Sequence, residues 1–187
     1  AQYCKEVGID FLSTPFDLDA VDFLDPLMKF FKISSSDITN VPLLRKVAKK
    51  GKPIVLSTGA STLAEIEFAL DVIKKVMPVE VILMHCILNY PTKYENANLL
   101  MIKSLSKVFP ENQIGYSDHT LPDQEMLSLN IAYTLGSVVL EKHFTHDKSL
   151  PGNDHYHAMD KDDLLNLVRI LKKTKLLIGD QTIKAPI

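Results

Sequence analysis

Residues 53–85 decide the fold: Pro53-Ile-Val-Leu-Ser-Thr58, then Thr62-Leu-Ala-Glu65 leading into a spaced apolar run, then Val79-Glu-Val-Ile-Leu-Met-His85. The first segment is β-rich and follows Lys50-Gly-Lys-Pro53, which stops a helix and opens a strand. In the middle, Leu63, Ile66, Leu70, Ile73 and Met77 recur at steps of 3, 4, 3 and 4, the spacing of one helix face. Thr62-x-x-Glu65 is a capping box that satisfies the orphan amides of the first turn. The third segment is β-rich again, so strand, helix and strand follow one another in a βαβ unit.

Working outward, runs of similar character lie at Ile9–Thr14, Phe31–Ser34, Gln113–Ser117 and Val138–His143. With Phe11, Ile33, Val55, Leu83, Gly115 and Leu140 as centres, the steps are 22, 22, 28, 32 and 25 residues, the spacing of repeated βα units. Gly8, Gly136 and Gly179 read as helix stops. The chain opens at Ala1 without Met, in what reads as the tail of a helix, and we expect more chain before it.

Six such units suit either a doubly wound open sheet or part of an eight-stranded barrel. Every run ends in chemically capable side chains: Ser13-Thr14, Ser34-Ser-Ser-Asp37, Ser57-Thr-Gly59, His85-Cys86, Ser117-Asp-His119 and Glu141-Lys-His143. A closed barrel gathers all its strand ends on one ring, whereas an open sheet uses mainly its switch point. The expected fold is therefore α/β, a TIM (β/α)8 barrel truncated at its N-terminus to about six βα units. Residues 1–187 then form one partial catalytic domain, since eight units need roughly 200 residues and about 250 are typical.

The composition narrows the partners. Lysine and arginine total 21 against 23 acidic residues, a net charge of −2, so no basic excess favours nucleic acid or an anionic membrane. Apolar runs such as Val81-Ile-Leu-Met84 fall far short of the roughly 20 residues of a membrane span. Cys4 and Cys86 are far apart and carry no metal or disulfide spacing, which fits a reducing, cytoplasmic setting.

His119 and His143 stand just beyond consecutive runs. Neighbouring parallel strands are about 4.8 Å apart, so two imidazoles at equal heights can share a divalent cation, Mn²⁺ or Zn²⁺. Each alone reads more readily as a hydrogen-bonding loop residue; the pairing brings the ligand reading level with that one. Lys32, Ser35 and Ser57 can hold a phosphate, although serines before helices also serve as plain caps. Lysine is rarely buried without a partner, so Lys32 stands out. Asn89-Tyr90-Pro91 suits a polyhydroxylated ligand or a simple turn, and the loop Leu150–His157 is polar throughout. His85, His155 and His157 rank second as candidates, and His146 reads as solvent-exposed.

Seven ordered blocks carry a family resemblance: Ser13-Thr-Pro-Phe-Asp17, Phe31-Lys-Ile33, Gly51–Gly59, His85-Cys86 with Asn89-Tyr-Pro-Thr92, Gly115–Thr120, Glu141–Thr145 and Pro151-Gly-Asn-Asp-His155. Together they resemble the sialic acid synthase family, from about residue 9 to 178. The resemblance implies a TIM barrel followed by a small antifreeze-like domain, in a homodimeric parent. It implies condensation of phosphoenolpyruvate with an N-acylated amino sugar, such as N-acetylmannosamine, to a nine-carbon 2-keto acid and phosphate. Lys32, Ser35, Ser57, Asn89 and Ser117, with Thr14 nearby, would hold phosphoenolpyruvate. Tyr90 and Asp154 would contact the sugar, and His119 and His143 would bind the metal, usually Mn²⁺, with Mg²⁺ or Co²⁺ as alternatives. Lys32, Asp37 and Tyr90 are the catalytic candidates. Asp37 stands where relatives commonly carry Glu, and Cys86-Ile-Leu-Asn89 replaces the commoner Cys-Thr-x-Asn. The rival readings are a noncatalytic sugar- or metal-binding fragment and a metal-dependent aldolase-type barrel.

Overall fold

The computed structural model describes residues 1–179; the far end of the expected partial barrel, up to residue 187, lies outside them. The repeating unit begins with β1 (Phe31–Ile33) and α3 (Val41–Ala48), preceded by the short helices α1 (Gln2–Val7) and α2 (Leu18–Leu24). It continues with β2 (Ile54–Ser57), α4 (Leu63–Val76), β3 (Val81–Cys86), α5 (Met101–Val108), β4 (Gln113–Asp118), α6 (Leu127–Thr134), β5 (Leu140–Lys142) and α7 (Lys161–Ile178). The strands form one parallel sheet in the order β1-β2-β3-β4-β5. Right-handed crossovers in unbroken sequential order put every helix on the same side of the sheet, the arrangement of a barrel rather than of a doubly wound sheet.

Local chemistry fixes the elements where the sequence places them. Thr62 accepts from the Glu65 amide at 3.2 Å and the Glu65 carboxylate accepts from the Thr62 amide at 2.7 Å, the reciprocal bonds of the expected capping box. Asp160 caps α7 in the same way. Gly8 closes α1 in the left-handed region, at φ 77°, where a side chain would be strained.

Strand alternation divides the chemistry. Phe31 and Ile33, Ile54 and Leu56, Val81 and Leu83, and Ile114 and Tyr116 face the helices and form the buried core with residues such as Leu43, Leu44, Ile66, Ile73 and Leu129. The opposite parity, Lys32, Ser57, Cys86, Ser117 and Glu141, faces the other side, and the register aligns Cys86 with Ser117 and Ser117 with Glu141. Mid-sheet, that face is filled: a Cβ on Gly115 would stand 2.3 Å from Met84 Sδ and 2.9 Å from the Val139 carbonyl oxygen.

The sheet is strongly curled. β1 and β5 are separated by four strand spacings, about 19 Å if the sheet were flat. Yet Lys32 Nζ lies 3.0 Å from Glu141 Oε1, nearer than the two side chains could bring each other across a flat sheet. The described residues therefore make a half-barrel with a concave polar face.

One expected strand is absent. Ile9–Thr14 has no regular secondary structure and joins no ladder, and there are five strands, not six, among the described residues. Alternating apolar character supplies β propensity, but a strand also needs a partner backbone; here the Ser13 amide points instead at Met28 Sδ, 3.1 Å away.

Candidate functional site

The C-terminal ends of the five strands enclose a cleft of about 290 Å³. Lys32, Ser34, Ser35, Ser57, Cys86, Leu88, Tyr90, Ser117, His119, Glu141, Lys142 and His143 line it. A larger cavity, about 840 Å³, lies at the other end of the sheet beside α4 and α5, around Pro78, Val79, Pro110 and Glu111. It collects none of the strand-end histidines, serines or lysines, so the smaller cleft is the chemically equipped one.

Each wall of the cleft follows from a strand end. Ser35 begins a single 3₁₀ turn directly after β1. Its Oγ accepts the Gly59 amide at 3.0 Å and contacts Cys86 Sγ at 3.3 Å, which ties the ends of β1, β2 and β3 together. A Cβ at Gly59 would meet Cys86 Sγ and Leu88 Cγ at 2.9 Å, so only glycine lets that loop close on the cleft. Lys32 is 9% exposed and its charge is compensated by Glu141, whose second oxygen, Oε2, is buried without a partner among the described residues.

His119 is fixed from behind. Its Nδ1 lies 2.8 Å from the Ile87 carbonyl oxygen, which can only accept, so Nδ1 carries the proton and Nε2 keeps a free lone pair. The rings of His119 and His143 are 5.4 Å apart, and Tyr90 sits 4.2 Å from His119. Burial holds both imidazoles below the usual histidine pKa of 6.5, opposed for His119 by its bond to Ile87 and reinforced for His143 by the neighbouring histidine. Neutral imidazole is the form that ligates metal. Burial also pushes the Tyr90 phenol upward, so it stays protonated as a donor.

Beneath the histidines lies a buried hub. Asp118 on β4 pairs with Lys142 on β5 at 2.9 Å, the two side chains being 1% and 2% exposed. It also accepts from the Tyr116 hydroxyl, the Thr120 amide and hydroxyl, and Ser128. Buried charge is tolerated here because each carboxylate oxygen is satisfied.

Residues 1–183 match the profile of the NeuB family. The chain belongs to the NeuB family. It is 42% identical over 186 residues to the N,N'-diacetyllegionaminic acid synthase of Campylobacter jejuni, covering 98% of this chain and 54% of that protein. The enzyme of the same name from Legionella pneumophila is 40% identical over 184 residues, covering 96% and 51%. The crystal structure of N-acetylneuraminic acid (sialic acid) synthetase from Leptospira borgpetersenii matches with a TM-score of 0.89 and 32% identity, covering 99% of this chain and 64% of that one. The chain spans about half the length of the curated relatives it matches. These relatives are named sugar-acid synthases, so the family is enzymatic.

Of the residues singled out in this NeuB family sequence, the fold brings Lys32, Ser35, Ser57, Tyr90, Ser117, His119 and His143 to one cleft. Asp154 lies beside it, 3.8 Å from His143. Thr14, Asp37 and Asn89 are not among its lining residues. Asp37 instead accepts from Asn40 Nδ2 at 3.0 Å, and the Asn89 carbonyl accepts from Thr92 at 2.7 Å. His85 is no site residue: strand parity turns it to the helix side, where it bonds the Ala97 carbonyl oxygen at 2.9 Å. His155 bonds Thr145 within its loop, and His146 is exposed as expected. Sequence reasoning placed Glu141, Asp118 and Lys142 at strand ends but missed the Lys32–Glu141 and Asp118–Lys142 pairings. The signal for Glu141 was present in the rule that a buried lysine needs a partner, though sequence alone does not say that β5 curls back to β1.

Among the described residues, no helix is long and apolar enough to cross a membrane.

Proposed function

We propose that the chain forms most of the catalytic barrel of a sialic-acid-type synthase, joining phosphoenolpyruvate to an N-acylated amino sugar. The observation that carries this reading is the meeting, in one small cleft, of a buried lysine, three buried serines and two neutral imidazoles. A purely hydrolytic metal site has no need of the lysine and serines.

In this reading Lys32, Ser35, Ser57 and Ser117 hold the carboxylate and phosphate of phosphoenolpyruvate, the Gly59 loop closing over them. Tyr90, protonated, donates to the acceptor sugar, and Asp154 accepts from it. The free Nε2 of His119 and the half-buried His143 fit a divalent cation, with Mn²⁺ the first expectation and Mg²⁺ or Co²⁺ alternatives. Bound there, such an ion supplies Lewis-acid polarisation to a carbonyl oxygen. Fixed by the lysine and serines, the enol C3 forms a bond to the aldehyde carbon. Water then adds at C2, the C2–O bond breaks and phosphate leaves. The buried serines orient the phosphate as a leaving group and do not attack it. Two free cysteines, Cys86 buried and Cys4 half-buried, suit a reducing cytoplasm, and the parent protein is read as a homodimer.

The test is turnover of the intact protein with phosphoenolpyruvate ¹⁸O-labelled at its bridging oxygen, offered N-acetylmannosamine and a dideoxy diamino hexose in parallel. Label is expected in the released phosphate. Label retained in the sugar acid, or no phosphate from either acceptor, overturns the reading.

A further inference from the structure

His157 is fully buried, and among the described residues neither of its ring nitrogens has a hydrogen-bonding partner. A neutral imidazole carries one donor and one acceptor, and burying both unmatched is costly enough to be rare. Its position is not accidental to a floppy loop. The Met159 amide donates to the His143 carbonyl at 2.8 Å and the Thr145 amide to the Met159 carbonyl at 2.8 Å, so the loop between them is closed at its base. Lys148 pins the return by pairing with Asp160 at 3.1 Å and with Asp163. This closure brings the His157 ring to 4.8 Å from that of His143.

Asp154 completes the group. Its Oδ1 lies 3.6 Å from His157 Nε2 and 3.8 Å from His143 Nδ1, and the donor atoms of all three residues fall within 4.8 Å of one another. Those separations are too long for hydrogen bonds. They approach the separation of about 3 to 3.4 Å between two donors that each sit about 2.1 Å from one cation.

We infer that His157 is a metal ligand, and that His143, Asp154 and His157 form a three-donor divalent-cation site sharing His143 with the His119–His143 pair. Two imidazoles and one carboxylate on one side of an ion leave positions open to water or substrate, and they favour Mn²⁺, Co²⁺ or Zn²⁺ over Mg²⁺. The second Asp154 oxygen remains available to a sugar hydroxyl. This deepens the metal centre proposed above, but it concerns binding alone and is read without turnover.

The experiment measures Mn²⁺ affinity of the intact protein by titration followed by electron paramagnetic resonance, with ¹⁵N-histidine labelling to count coordinated imidazoles by pulsed methods. Asp154→Asn, at an exposed position, guards against loss of folding in His157→Gln; thermal melts check both. At least tenfold weaker binding in both variants, loss of one nitrogen coupling in His157→Gln, and at least tenfold preference for Mn²⁺ over Mg²⁺ are expected. If both bind as the wild type while His119→Ala and His143→Ala weaken binding, the three-donor site is overturned and the His119–His143 pair stands. If none of the four variants weakens binding, both assignments fall.

Discussion

Lys32 and Glu141 occupy opposite edges of a five-stranded sheet and meet at 3.0 Å across its concave face. The contact neutralises a lysine held almost out of water in the cleft, as Asp118 does for Lys142, and it joins the first strand to the last. The pair has a functional side as well: Glu141 Oε2 is left without a partner among the described residues.

Replacing Lys32 by Met should leave the Glu141 carboxylate half-buried and uncompensated, costing about 1 to 3 kcal/mol in urea unfolding. Glu141→Gln should cost less, and the double variant should recover part of the loss. Strict additivity in that cycle would mean the two residues do not interact in solution.

The Gly59 loop has no space for a methyl group against Cys86, Leu88 and Ser35. Gly59→Ala should displace the amide that donates to Ser35, costing about 1 to 3 kcal/mol from overpacking. In the synthase reading it should raise the KM for phosphoenolpyruvate more than that for the sugar. Steady-state kinetics against each substrate provides the check, and equal changes in both constants would count against placing the anion there.

His85 supplies a pH dependence independent of the cleft. Its Nε2–H donates to the Ala97 carbonyl oxygen, and burial lowers its pKa below 6.5 despite that bond. As pH falls through 6.5 the unfolded chain takes up a proton that the folded one refuses. The unfolded state then binds more protons, so stability declines as pH falls and levels off only below the folded pKa. Urea midpoints at about pH 8 and about pH 5 should fall further apart in the wild type than in His85→Gln. An identical drop in both proteins would assign the effect to other groups.

Much of this architecture was legible in the residues. The βαβ reading of 53–85 holds to within one or two residues at each strand end, because a capping box and a step of 3 and 4 are local signals with local causes. The gathering of Lys32, Ser57, Ser117, His119 and His143 was equally readable, since each stands in or just beyond the end of a β-rich run and a barrel brings those ends onto one ring. Ile9–Thr14 misled because β propensity names a candidate strand and is silent on its partner. The pairings of Glu141, Asp118 and Lys142 escaped for a related reason. Their importance arises from contacts between residues 109 and 24 positions apart, which only the curl and register of the sheet create. His157 ranked low because nothing in a polar loop distinguishes an exposed histidine from one folded inward.

The Asp118–Lys142 hub has a consequence for how the molecule yields to heat. β5 pairs with β4 over three residues, and its only described side-chain anchor to that strand is the buried ion pair. Small segments with few ties open before the body of a fold does. When β5 loosens, His143 departs with it, while β1 to β4 retain their core. The site is thus the fuse of this half-barrel: on heating it should disconnect before the rest, and on cooling it is restored when both ion pairs of β5, Asp118–Lys142 and Lys32–Glu141, reseat.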